Sequence, residues 1–307
     1  YPQGTAALRK VVWLEFADEP VWEVARVPLM IVIEKTPPQE NDEIELYVPS
    51  TGVSEKSPVK VKYKDFFDTK VNPRVTNIDP SNPREGQWGD YLLPLLHQED
   101  VPILRKLYPN GNNGQESNLV ELKEAVAQQI SRNNRPFWFT YGIQRGGAEV
   151  TSEPTGENCV QVIAGRSIAV GWSGETEGWV NLETVRERPN GKLSLWGEQT
   201  HEKILVIAKF AKALTAAVLS SELSNKRIAG LDTVIIALPK SQTPSLEAVA
   251  AYLNSKLARF YYIVRLRSGV IQGFYATNYP RTLEALPWVK NLDPEIEQQL
   301  TDNYNEL

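Results

Sequence analysis

The sequence has 307 residues, 41% of them hydrophobic and 23% charged, which is ordinary globular composition with ample apolar material for a core and a soft expectation of two domains. One cysteine, Cys159, excludes disulfides and cysteine zinc sites, and two histidines leave little for histidine-based metal or triad chemistry. The formal net charge of -5 counts mildly against a nucleic-acid binder, although a basic patch on one face would be compatible with it. No run approaches the roughly 18 apolar residues of a membrane span. No charged-then-apolar leader opens the chain, so no membrane partner and a cytoplasmic location are expected.

In chain order, residues 7–16 and 27–35 read as two apolar strands, the second a nearly continuous run of the kind buried on both faces. Two strands cannot close a core, so the rest of their sheet must lie elsewhere. Short alternating runs follow at 43–48 and 59–63, then an Asn-Pro and Asp-Pro stretch that marks a turn-rich connector. Residues 92–107 and 118–129 read as helices, the second with Asn118 as N-cap.

From Pro136 the pattern turns β-rich, with strands expected at 137–141, 159–163, 179–182, 203–209, 215–220 and 233–238. The best helix spans 243–266, capped by Ser245, with Leu246, Val249, Ala250 and Leu253 along one face. A turn at 268–273, a segment from 275 to 286 and a final helix from about Pro294 close the chain.

Catalytic signatures are missing: there is no P-loop, GxGxxG or GxSxG. Asp100 with Glu121 and Lys123 meets a loose nuclease pattern, but residues two apart on a helix diverge, and a solvated face explains them better. Cys159 reads as a small core residue. No metal site and no catalytic residue are expected.

Three segments resemble one family, the adenine-N6 DNA methyltransferases with a C-terminal target-recognition domain, including the bifunctional restriction-methylation enzymes. The run ALRKVVWLEF…VPLMIVIEK (7–35) resembles the late strands of the family's Rossmann-like catalytic sheet. YGIQRGGAEV and VIAGRSI (141–150, 162–168), then 203–239 ending Leu231-Asp232-Thr233, resemble the opening of the recognition domain. YLNSKLARFYYIVR…SGVIQGFYATNYPRTLEALPW (252–288) resembles its closing unit and is the most specific of the three.

The resemblance implies an α+β chain in three parts: 1–36 as the tail of the methyltransferase domain, 37–135 as connector, 136–307 as DNA target-recognition domain. It implies double-stranded DNA as partner and a parent that methylates adenine and could also cleave. The S-adenosylmethionine glycine motif and the Asn-Pro-Pro-aromatic motif do not occur; in the family they would precede Tyr1. The resemblance therefore places S-adenosylmethionine and catalysis in a further catalytic domain, with no cofactor here.

DNA binding needs cations for phosphates and forked or amide side chains for base edges. Lys203, Lys209, Lys212, Lys226 and Arg227 punctuate an apolar stretch, although lysines also protect ordinary sheet edges. Gln144, Arg145 and Arg166 lie in or beside glycine turns, where backbone can approach a ligand, although a hairpin turn would also look so. Arg265, Arg267, Gln272, Tyr275, Asn278, Tyr279 and Arg281 surround the loop after the long helix, which the resemblance sets near DNA. Tyr261 and Tyr262 read as core. The alternatives are a carbohydrate- or ligand-binding module, which needs an aromatic groove, and an interaction scaffold. The expectation is that Lys203, Lys209, Lys212, Arg145, Arg166 and Arg281 share a concave face.

Overall fold

The computed structural model describes residues 6–13, 29–39, 41–47, 59–68, 71, 98–108, 118–122, 131–132, 135–136, 139–170, 176–191, 203–211, 214–219, 228–237, 244–262, 270–271, 275–277 and 280–307. From the N-terminus come β1 (Ala7–Trp13), β2 (Leu29–Glu34), β3 (Glu43–Tyr47), β4 (Val59–Lys62), α1 (Tyr63–Phe66) and α2 (Val101–Lys106). Next are β5 (Leu119–Glu121), β6 (Ser131–Arg132), β7 (Arg135–Pro136), β8 (Phe139–Tyr141), β9 (Cys159–Ile163), β10 (Gly178–Asn181) and α3 (Leu182–Glu187). Then follow β11 (Ile204–Ala208), β12 (Phe210–Ala211), β13 (Ala216–Leu219), β14 (Ile228–Gly230), β15 (Val234–Ala237), α4 (Leu246–Asn254) and α5 (Lys256–Tyr261). The chain ends with β16 (Val270–Ile271), β17 (Tyr275–Thr277), α6 (Pro280–Glu284), β18 (Pro287–Val289) and α7 (Pro294–Asn305). The fold is α+β, with several small sheets, none of them closed. It divides into two units, Tyr1–Ser117 with Tyr261–Phe274, and Asn118–Phe260 with Tyr275–Leu307.

In the first unit one sheet runs β2-β1-β3-β4, with β1 antiparallel to β2 and parallel to β3. The partners that the two N-terminal strands need are therefore β3 and β4, so this sheet runs across residue 36. Ala7, Val11, Ile44, Leu46 and Val61 are buried, each stabilising the unit by about 1.5–3 kcal/mol if large and fully covered. The expectation that the second strand is buried on both faces is corrected here. Strand β2 is an edge, and Met30, Val32 and Ile33 are 46%, 42% and 56% exposed.

The second unit carries the β-rich stretch where the alternation places it. Strand β11 is central in the sheet β13-β11-β15-β8, and all five of its residues are buried. Successive side chains point to opposite faces. Ile204, Val206 and Ala208 face one core shared with Val160, Val162 and Ile163 of the sheet β10-β9-β14. Leu205 and Ile207 point the other way and are also fully buried, and α4 packs on β11 and β13. Helix α4 is capped by Ser245, whose Oγ accepts from Ala248 N at 3.1 Å, and Val249, Ala250 and Leu253 are fully buried on it.

Two expected helices differ. The long one breaks at Ser255, which is extended (φ -71°, ψ 153°) and whose Oγ accepts from Ala258 N to start α5. Before the break, Asn254 accepts from Ala216 N and donates to Ala216 O, each at 2.9 Å, tying the helix end to β13. The run after Asn118 starts as strand β5 instead of a capped helix. Its Val120 pairs with Trp288 of β18, Leu122 N donates to Leu286 O, and Asn118 O accepts from Lys290 N. A ladder to a distant segment outweighs a local helix signal there.

Helix α7 docks through Tyr304, whose buried hydroxyl accepts from Val218 N at 2.7 Å. Desolvation pushes the Tyr304 hydroxyl pKa up. Cys159 on β9, Tyr261, Tyr262 and Trp288 are buried, as core residues should be. No described helix is long and apolar enough to cross a membrane.

Candidate nucleic-acid interface

Four turns of the second unit meet around one cleft of about 840 Å³, lined by Arg145, Arg166, Glu177, Phe210, Asp232 and Thr233 among others. The first is the turn after β8. Gly142 lies so close to the following segment that a Cβ there would sit 2.1 Å from Leu231 O. This closeness lets Gly142 N donate to Val234 O and Ile143 N to Gly230 O. Gly146 and Gly147 then take positive φ, 58° and 91°, which turns the chain back, and Arg145 Nη1 donates to Ala148 O at 3.0 Å across that turn.

The second is the 3-10 turn Gly165–Ser167 after β9, which presents Arg166. The third is the tight turn at Asp232 and Thr233 between β14 and β15, and it organises the others. Thr233 O accepts from Lys209 N at 2.9 Å, and Thr233 Oγ1 accepts from Gly165 N at 3.0 Å. The fourth, after β11, sets Phe210 on the cleft and Lys209 beside it. The Lys209 ammonium lies 4.9 Å from the Tyr141 ring centroid and 5.1 Å from that of Phe210, within cation–π range.

Charge is mixed but tilted toward cations. Arg145, Arg166 and Lys209 stand against Glu177 and Asp232, in a chain of formal net charge -5. Arg166 Nε donates to Glu177 Oε1 at 2.8 Å, Arg166 Nη2 donates to Oε2, and Ser167 Oγ donates to Oε1 at 2.8 Å. Those hydrogen bonds, Arg166's first, hold the Glu177 carboxyl below the usual carboxylate range against the opposing effect of burial.

Of the residues picked from sequence, Arg145 and Arg166 line the cleft and Lys209 adjoins it, and Gln144 is half-buried next to Arg145. Lys203 does not join them, which corrects the shared-face expectation. It precedes β11 at the opposite end from Lys209, roughly 20 Å away along a strand at about 3.4 Å per residue. There its ammonium pairs with Glu247 of α4 at 2.6 Å. Tyr275 and Arg281 have their backbones on β17 and α6, while their side chains lie outside the described residues. Lys212, Lys226, Arg227, Arg265, Arg267, Gln272, Asn278 and Tyr279 also lie outside them.

Sequence reasoning missed Glu177, Phe210, Asp232 and Thr233. Leu231-Asp232-Thr233 was visible only as a strand-ending turn. Among the described residues no group of histidine, cysteine and carboxylates is arranged for a metal, and Asp100 and Glu121 fall in different units.

No protein-family model matches the chain, and no curated protein matches it. Among solved structures the chain is similar to a Type IIL restriction-modification enzyme, MmeI, determined in complex with DNA. The TM-score is 0.47 at 10% identity, covering 98% of this chain and 38% of that one, so the chain spans well under half of that protein.

Proposed function

We propose that this chain recognises double-stranded DNA, as the target-reading part of an adenine-N6 DNA methyltransferase of the restriction-modification type. One structural observation carries the reading: separate turns gather Arg145, Arg166 and Lys209 at a single cleft of an otherwise acidic chain. The sequence resemblance of three segments supplies the family. In this reading Lys209 serves phosphates, Arg145 and Arg166 serve base edges in the major groove, and Phe210, 38% exposed, offers an apolar contact for a thymine methyl. The ligand-module alternative has less support, since Phe210 is the one aromatic among the cleft-lining residues.

Methyl transfer would fall to a catalytic domain carrying S-adenosylmethionine, as in the family resembled. The residues here do not fit that cofactor. Its binding needs a glycine turn against a strand, and no glycine occurs from residue 5 to 51, which spans β1, β2 and β3. The Asn-Pro-Pro-aromatic motif that would meet a flipped adenine is also missing from the sequence.

The test is fluorescence anisotropy of the chain with labelled duplexes at several salt concentrations. Binding to duplex DNA that weakens steeply with salt is expected, because each neutralised phosphate releases counterions. Equal affinity for a neutral polysaccharide, or no salt dependence, would overturn the reading.

A further inference from the structure

The side chain of Arg166 is 81% exposed, yet its guanidinium is held at two points by one carboxylate. That carboxylate is itself anchored. Glu177 is only 16% exposed, and Ser167 Oγ donates to it from the neighbouring position of the same turn. The turn beneath is equally fixed. Gly165 N donates to Thr233 Oγ1, and a Cβ at Gly165 would lie 2.4 Å from Thr233 O, so this backbone has no room to shift. An ion pair this exposed adds little to stability, so its two-point geometry calls for another role.

A guanidinium is planar and has five N–H donors in a rigid array. Glu177 engages the edge formed by Nε and Nη2. The remaining end-on edge, Nη1 with the outer N–H of Nη2, then presents two parallel donors away from the carboxylate. Two such donors match the O6 and N7 acceptors of guanine in the major groove. Setting the fork before the ligand arrives removes part of the ordering cost of binding.

We propose that Glu177 is a positioning residue that holds Arg166 as a preset fork for a guanine edge; this rests on the DNA reading above. The full chain is mixed with a randomised duplex pool, and the bound fraction is sequenced for wild type, E177A, E177Q and R166K. Wild type enriches a motif containing a guanine position. E177A and R166K lose preference at that same position by about 5- to 150-fold, the range for one bidentate contact, and keep the other positions. E177Q, with a single acceptor oxygen, falls between, and it carries the test together with R166K if E177A does not fold. Both glutamate variants keep the Arg166 charge, so the salt slope of binding stays as in wild type. An unchanged motif in E177A, or an even loss at all positions, overturns this assignment and leaves the DNA reading standing. A wild-type chain that enriches no motif overturns both.

Discussion

The Thr233 hydroxyl is the contact on which the cleft geometry most depends, and Thr233→Val removes it with little change of shape. Its Oγ1 is the acceptor for Gly165 N at 3.0 Å, and Gly165 is buried, so the variant strands a backbone donor away from water. Such a donor costs about 1–3 kcal/mol, more than the net gain of an ordinary hydrogen bond, because the desolvation of the N–H goes uncompensated. For a domain of roughly 150–250 residues this corresponds to a Tm lower by about 2–12 °C. Thr233→Ser keeps the hydroxyl and should stay close to wild type. Urea unfolding and thermal scans of the three proteins read the difference. A Thr233→Val protein as stable as wild type, or a Thr233→Ser protein that falls equally far, would refute the idea that this hydroxyl holds the turn.

Two further outcomes follow from the same cleft. Glu177 has a lowered folded-state pKa, so its contribution is present above the unfolded carboxylate value of about 4.3 and is lost as pH falls through the folded value. The stability gap between wild type and E177Q, measured by urea midpoints, should therefore hold from pH 7 to about 5 and close at lower pH; a pH-independent gap would contradict the pairing. Gly142→Ala places a Cβ 2.1 Å from Leu231 O, a backbone atom, so the second unit should lose about 1–3 kcal/mol or more by the same assay, and a neutral effect would mean the turn adapts.

Much of the β-rich half was legible because its strands carry their own signal. The buried runs ILVIA and VIIA of β11 and β15 sit between Lys203 and Lys209 and after the Asp232–Thr233 turn, where apolar content and turn chemistry agree. Ser245 was legible as a cap for the same local reason. What failed depended on partners far along the chain. Val120 becomes a strand residue because Trp288 lies opposite it, and nothing near Asn118 signals that. The apolar run of β2 looks buried from sequence, but burial depends on position in the sheet, and an edge strand exposes Met30 and Ile33.

The site divides in the same way. Glycine turns marked Arg145 and Arg166, since close backbone approach leaves a composition signal. Glu177 and Thr233 left none, because a carboxylate and a hydroxyl at separations of 11 and 68 residues from their partners follow no periodicity. Lys203 and Lys209 looked equivalent in sequence because both flank one strand. Their separation follows from the length of that strand and from Glu247 on α4.

The pair Lys203 and Lys209 offers the most direct test of DNA recognition at the cleft. Salt-dependent duplex affinity is measured by anisotropy for wild type, K203A and K209A in parallel. K209A should weaken binding to all sequences alike and flatten the plot of log affinity against log salt by about 0.9 for one lost phosphate contact. K203A, whose ammonium is committed to Glu247 at the far end of the strand, should leave both affinity and slope close to wild type. Equal effects from the two substitutions, or none from K209A, would contradict the assignment of the cleft as the DNA face.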